Sequence, residues 1–297
     1  ITMDHALAHL KSHSSKQPTF TVIWFPSPHL PHQETSSNPD LYKGKPHAPY
    51  YQEITLIDEQ IGRLRKTLRD LKIANNTLLW YTSDNGGLVK ESSGGRAKKG
   101  SVYEGGLRVP SIIEYPSAFE PTRISAPTSS TDIYPTLLAL TKIKVENQTP
   151  VDGINLVPFI KGEESKRSKP IGFWHNFTGG QSTRSDLIIK KLMKAQQEGE
   201  PNPFPERVLK NVNSFPKYTT NSHQSGHAAL LAWPFKIHAI YGKKKTTWEL
   251  YDLSKDPMES KTLNEKEAKK FSTMQKQLTA WQKSVLKSHS GHDLQDR

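Results

Sequence analysis

Apolar residues recur at three- and four-residue spacing between positions 48 and 71, at Ile54, Ile57, Ile61, Leu64, Leu68 and Leu71. That spacing predicts an amphipathic helix with Arg63, Arg65, Lys66 and Arg69 on its solvated side. A second stripe, Phe271, Met274, Leu278, Trp281 and Val285, predicts a closing helix over 265–286. Shorter helices are predicted over 3–12 and 184–198. Another is predicted over 129–140, where Ser129-Ser130-Thr131-Asp132 supplies N-cap chemistry ahead of Ile133, Leu137 and Leu138. Asp132 reads there as a cap or first-turn acid rather than a ligand. β-Branched and aromatic runs predict buried strands at 19–25, 77–82 and 109–115, with a further strand at 171–174. Three antiparallel strands follow at 228–233, 235–241 and 247–253, joined by the turns Trp233-Pro234 and Gly242-Lys243-Lys244. Strand, helix and strand across 19–82 predict a β-α-β unit with parallel pairing and a right-handed crossover.

Composition adds bounds to this α/β reading. The 297 residues are enough for one large domain, or one plus a small one. A hydrophobic content of 34% points to long polar loops. From about 163 the composition shifts to Lys, Ser and Glu, which divides the chain into 1–162 and 163–297. There is no cysteine, so disulfides, a thiol nucleophile and thiolate metal sites are excluded. No run of 18 apolar residues occurs, so no transmembrane segment is expected. The formal charge is +12, but the basic residues are scattered and accompany no nucleic-acid module, so nucleic acid is not expected as a partner. Three Asn-x-Ser/Thr sequons are present, and the motif is too short to assign glycosylation.

Candidate chemistry gathers where predicted strands end. The run Thr77-Leu78-Leu79-Trp80-Tyr81 breaks into Asp84-Asn85-Gly86-Gly87. In open α/β sheets ligands sit beyond the carboxyl ends of strands. Asp84 and Asn85 offer hard oxygen donors for calcium or magnesium, although the same residues also make an ordinary turn. The strand at 19–25 feeds into Pro26-Ser27-Pro28-His29-Leu30-Pro31-His32, a proline-stiffened loop. His29 there suits proton transfer or anion contact, or is a plain surface histidine. Residues 86–106 form a long loop rich in glycine, serine and charge, with Lys99-Gly100 and Glu104-Gly105-Gly106 as its functional candidates. His223 and His227, followed by Trp233-Pro234-Phe235-Lys236, are candidates to contact sugar, or form an ordinary loop and strand.

Four segments in this order resemble the sulfatase family of the alkaline-phosphatase superfamily. They are Pro26 to His32, the Asp84-Asn85-Gly86 turn, Lys99-Gly100-Ser101-Val102-Tyr103-Glu104-Gly105-Gly106-Leu107-Arg108, and Trp248-Glu249-Leu250-Tyr251-Asp252-Leu253 continuing to Glu259. The resemblance implies an alkaline-phosphatase-like mixed sheet flanked by helices, with a smaller C-terminal antiparallel sheet and closing helix. On it, 1–162 corresponds to the C-terminal part of the α/β domain, and 163–297 to a loop-rich insertion, the small sheet and the last helix. It implies Asp84 and Asn85 as Ca2+ ligands, Lys99 as a sulfate contact that assists the leaving group, and His29 as general acid or sulfate ligand. Glu104 and Arg108 would brace the loop. It implies a sulfated carbohydrate or aryl sulfate as substrate, whose charge the basic field would favour, with His223 and His227 as substrate contacts. A periplasmic, secreted or lysosomal location is implied as well.

One departure stands out. Sulfatases use a formylglycine made in a Cys/Ser-x-Pro-x-Arg motif near the amino end, preceded by an Asp pair that completes the metal site. This sequence has no cysteine and no Ser-x-Pro-x-Arg, and Ser27-Pro28-His29-Leu30-Pro31 does not fit. Calcium takes six to eight oxygens, which Asp84 and Asn85 do not fill. The formylglycine is therefore expected in a segment ahead of Ile1, and these 297 residues alone are expected to be inactive. Two other readings stay open: a non-catalytic module that binds sulfated glycans, and a related phosphate-ester hydrolase.

Overall fold

A computed structural model describes residues 2–12, 18–32, 40–175, 185–205 and 223–294. The chain forms two compact units that interleave in sequence. The first comprises Ile1–Lys99, Glu104–Ile124 and Ile160–Glu163; the second comprises Gly100–Tyr103, Ser125–Phe159 and Glu164–Arg297.

The first unit is built on helices α1 (Thr2–Ser12) and α2 (Ala48–Asp70). Met3 and Leu7 of α1 pack on Leu64 and Leu68 of α2, with Ile23, Phe25 and Leu79 against the edge of the cluster. The arginines of α2 that periodicity placed on the solvated side tie it to its neighbours. Arg63 pairs with Asp4 at 2.6 Å, and Arg65 grips Glu114 through two bonds of 2.7 and 3.1 Å. The Arg63 hydrogen bond is the main cause that lowers the Asp4 carboxyl to about 2.

Strand β1 (Leu79–Thr82), the short helix α3 (Glu104–Leu107) and strand β2 (Ser111–Glu114) complete this unit. Two expectations are corrected here. Residues 19–25 form no strand: Phe20 and Trp24 are 77% and 84% exposed, while Ile23 and Phe25 face the helix cluster. A strand needs a neighbour to take its backbone N–H and C=O groups, and none of the described residues pairs with this run. β1 instead pairs antiparallel with β2, in the register Leu79↔Glu114 to Thr82↔Ser111, so the predicted parallel β-α-β pairing is absent among the described residues. β2 is also less buried than its apolar run suggested, with Ile112 exposed, because a two-stranded ribbon covers only one face.

The second unit holds helix α4 (Ile133–Thr141), the single turn α5 (Val157–Ile160), strand β3 (Ile171–His175), helix α6 (Ser185–Glu198), strands β4 (His227–Ala232), β5 (Phe235–Tyr241) and β6 (Thr246–Asp252), and helix α7 (Ala268–His289). The three predicted C-terminal strands form a meander, and β3 adds to it, giving the antiparallel order β3-β4-β5-β6. Strand alternation gives the sheet two unlike faces. One carries Ala228, Leu230, Ile237, Ala239 and Leu250, which pack on Met274 and Leu278 of α7. Gly172 lies where any Cβ would collide with the Trp281 indole, so glycine lets the helix close on β3. The opposite face is mixed: Ile171, Leu231, Tyr251 and Leu253 form a second apolar cluster there, and His227, Lys236, His238 and Glu249 share the face with it.

Asp132 does cap, as expected, in a reciprocal box with Ser129. It is also fully buried and takes Arg167 in a fork of 2.6 and 2.8 Å together with the Ile154 N–H at 2.8 Å. No helix among the described residues is long and apolar enough to cross a membrane.

Candidate functional site

In the first unit the turn after β1 presents Asp84, exposed, and Asn85, half-buried. Asn85 Nδ2 donates to Asp84 Oδ1 at 2.8 Å, and Ser83 Oγ donates to the Asn85 carbonyl at 3.1 Å. The glycines that follow make the close approach that builds the site. Gly86 N–H donates to Gly106 O at 2.8 Å, and a Cβ on Gly86 would overlap the Gly105 carbonyl. Gly105 in turn donates to Arg96 O at 2.8 Å, against a backbone that leaves no room for a Cβ. The Lys99 N–H reaches Gly87 O at 3.0 Å. The loop over 86–106, which by composition had no core of its own, is thus laced backbone to backbone onto the Asp84 turn. Lys99 leaves it with an exposed side chain.

On the proline loop, His29 is exposed. Its ring Nδ1 lies 2.8 Å from Leu30 O. A carbonyl only accepts, so Nδ1 carries a proton and Nε2 is the open nitrogen. His32 Nε2 likewise donates to Pro28 O at 3.1 Å, and its ring lies 5.4 Å from that of Tyr50. His32 braces the loop, and His29 is the histidine it presents.

His29, Asp84, Asn85 and Lys99 therefore fall in the first unit, and His223 and His227 in the second. His223 is buried, and its carbonyl accepts from Gln282 Nε2 at 2.8 Å. His227 begins β4 on the face of the sheet away from α7, half-buried. Its Nε2 lies 3.0 Å from Nδ1 of His238, whose Nε2 lies 2.8 Å from Glu259 Oε1. The same carboxylate oxygen holds Lys236 Nζ at 3.1 Å. Lys236, His238 and Glu259 are all 0% exposed. Burial, followed by the neighbouring His238, lowers the His227 pKa to about 4.

The residues directly after Lys99 belong to this face. Gly100 O accepts from His175 Nδ1 at 2.9 Å. Tyr103 OH donates to Glu249 Oε2 at 2.6 Å, and its ring packs 4.9 Å from that of His227 and 4.6 Å from that of His238. Sequence reasoning named Tyr103, Lys236 and Glu259 only within longer runs, without this arrangement, and missed His238. A signal was present: Lys236 and His238 stand two apart within the otherwise apolar β5, so both fall on one face of a central strand.

Among the described residues, no group of three or more His, Cys, Asp or Glu side chains is placed to hold a metal. Asp84 and Asn85 offer adjacent oxygen donors of the kind a hard cation takes.

Comparison with known proteins gives this geometry its context. The family model described as Sulfatase matches residues 1–143. Steryl-sulfatase of Mus musculus is 31% identical over 153 residues, covering 44% of this chain and 24% of that protein. A sulfatase of Formosa agariphila is 30% identical over 208 residues, covering 61% of this chain and 37% of that protein. The chain thus spans between a quarter and two fifths of the length of these relatives. The crystal structure of Ps i-CgsB aligns with a TM-score of 0.68 and 26% identity, covering 95% of this chain and 54% of that one. Family match, relatives and fold point the same way: residues 1–143 match the Sulfatase model, and the chain resembles the sulfatases of the alkaline-phosphatase superfamily.

Proposed function

We propose that this chain supplies most of the charge-handling side chains of a sulfuric ester hydrolase acting on a sulfated glycan or an aryl sulfate. The observation that carries the reading is the glycine lacing, Gly86 to Gly106 and Lys99 to Gly87, which fixes the Asp84-Asn85 turn and the Lys99 loop to each other. On one laced loop Asp84 and Asn85 supply oxygen donors for a cation and Lys99 an exposed ammonium, and positive charge is what an anionic sulfate transition state requires. Lys99 is a compact positive charge for the sulfate oxygens. His29, with Nδ1–H anchored on Leu30 O, offers Nε2 to the leaving oxygen, and the doubly protonated ring donates a proton there as the S–O bond breaks.

Asp84 and Asn85 would hold Ca2+. When bound, the cation polarises the sulfate oxygens. The sequence has neither cysteine nor Ser-x-Pro-x-Arg, so the formylglycine nucleophile of this scheme comes from outside these residues. The metal shell is completed from outside them as well. His227 and His223 are kept as substrate-contact candidates of the second unit, His227 on its half-exposed ring and His223 on its place in the loop leading to it. The residues 1–162 and 163–297 are read as the α/β part and the small-sheet part of this hydrolase. An exported or lysosomal location goes with the reading.

The test is hydrolysis of an aryl sulfate by the natural protein that contains this chain. Lys99→Ala and His29→Ala should each lower kcat about 10²–10³-fold, and chelation should abolish turnover. The 297 residues alone should bind a sulfated oligosaccharide without turning it over. Metal-dependent turnover by the 297 residues alone, or undiminished kcat in Lys99→Ala, would refute the scheme. Binding without turnover by the natural protein would leave a sulfated-glycan binding module in its place.

A further inference from the structure

The face of the C-terminal sheet away from α7 carries a line of three side chains, Glu259, His238 and His227, running from the interior to the half-exposed start of β4. We propose that Glu259 and His238 are positioning residues that hold His227 as its Nε2–H tautomer, so that its Nδ1 stands as a hydrogen-bond acceptor for a ligand hydroxyl.

The direction of each hydrogen bond follows from the interior end. Glu259, ion-paired with Lys236, is an acceptor, so the bond to it comes from His238 Nε2–H. The Lys236 ammonium already balances the Glu259 carboxylate. A second cation on a ring with 0% exposure would carry the full desolvation penalty, which favours a neutral His238 at neutral pH, the charge that opposes His227 protonation belonging to acid pH. A neutral ring has one N–H, so Nδ1 of His238 is a lone pair and accepts from His227 Nε2–H. Neutral His227 then has its lone pair on Nδ1. That atom has no hydrogen-bond partner among the described residues. Tyr103, anchored through its hydroxyl to Glu249, sits edge-on to the His227 ring and limits its rotation.

The same residues argue for the class of ligand. A lone pair attracts a hydroxyl hydrogen and repels a sulfate oxygen. No group of three metal-ligating side chains lies here among the described residues, so a resident cation is not favoured. The hydroxyl-bearing ligand, a saccharide that carries its sulfate elsewhere, rests on the sulfatase reading. The tautomer does not.

The experiment is 15N NMR of ring-labelled histidine in the 297-residue chain at neutral pH, with His227→Phe to assign its signals. The expected result is a protonated Nε2 and an unprotonated Nδ1 at His227. His238→Phe should abolish that selection, giving an averaged pair of shifts, and Glu259→Gln should weaken it. A protonated Nδ1 at His227, or a selection that survives His238→Phe, overturns the positioning role. If Glu259→Gln fails to fold, the His238→Phe spectrum still decides.

Titration with monosulfated hexose disaccharides should move the His227 Nδ1 signal, while methyl sulfate should not. His227→Phe should lose roughly two- to tenfold in saccharide affinity, the worth of one neutral hydrogen bond. A disaccharide that binds without moving Nδ1, or no disaccharide binding at all, overturns the ligand assignment. The sulfatase reading fails separately, through an aryl-sulfate assay in which the natural protein does not turn over, whatever the tautomer.

Discussion

Gly86→Ala is the sharpest test of how the Asp84 turn and the Lys99 loop are held. The added methyl would overlap the Gly105 carbonyl oxygen and lie 2.8 Å from Gly106 C and 2.9 Å from Gly105 C, all of them backbone atoms. No side-chain rotation relieves that, so one strand of the lace must move. The first loss is the 2.8 Å bond from Gly86 N–H to Gly106 O, worth about 1 kcal/mol. Overpacking strain adds about 1–3 kcal/mol. Together they predict a local opening cost lowered by about 2–4 kcal/mol, or roughly 30- to 1000-fold faster hydrogen exchange. The amides to follow are Lys99 N–H, bonded to Gly87 O, and Gly105 N–H, bonded to Arg96 O. Gly62→Ala is the matched control. Gly62 lies in the interior of α2, and a Cβ there meets nothing within 4 Å. Alanine at that site should stabilise the chain by about 0.5–1 kcal/mol through helix propensity. Unchanged exchange at Lys99 and Gly105 in Gly86→Ala would mean that the lace does not hold the loop, and the argument for a joined site would fail with it.

Three further outcomes are expected. Asp132→Ala leaves Arg167 buried without its carboxylate and strips a partner from the Ser129 and Ile154 amides. It should cost about 3–5 kcal/mol in urea unfolding, with part recovered in Asp132→Ala/Arg167→Met; full additivity of the two changes would contradict a coupled pair. Gly172→Ala drives a methyl into the Trp281 indole and should lower the melting temperature and shift Trp281 fluorescence, whereas a wild-type melt would show that α7 does not close on β3 there. The third concerns acid. The folded His227 pKa lies near 4, below its ordinary value of 6.5, so the unfolded chain binds more protons between those limits. Stability therefore rises with pH through that window, is fully present above about 6.5, and is lost as pH falls toward 4. The groups facing the ring are His238, Glu249, Lys236, Glu259 and Tyr103, with His175 as its cross-strand neighbour on β3. With allowance for solvent screening of a half-exposed ring, the acid loss in wild type should exceed that in His227→Phe by about 1–2 kcal/mol. Identical pH profiles would remove this contribution.

The helices and the C-terminal meander were legible because each carries its own period. The 3.6-residue stripe from Ile57 to Leu68 and the one from Met274 to Trp281 both became buried helix faces. The alternation in β4 to β6 set the register that puts Ala228, Leu230 and Ile237 against α7. Pairing partners were not legible. Residues 19–25 have strand composition, but composition does not name the neighbour that must take their backbone bonds, and β1 took β2 instead. The site divides in the same way. Asp84, Asn85, Lys99 and His29 announce themselves by local turn chemistry and motif. The buried line behind His227 depends on Glu259 reaching His238 across 21 positions, with Glu259 itself at the left-handed φ of 51°, and no local signal encodes that meeting.

The segment from Gly100 to Tyr103 has a consequence in time as well as in space. Tyr103 is held by Glu249, 146 positions later, and Gly100 by His175, 75 positions later. Closing loops of that length is slow. During synthesis Gly100 and Tyr103 emerge long before His175 and Glu249, so these two contacts are complete only after β6 has left the ribosome. A nascent chain stalled before Thr246 should be open to chymotrypsin after Tyr103, and one released beyond Asp252 should be protected there.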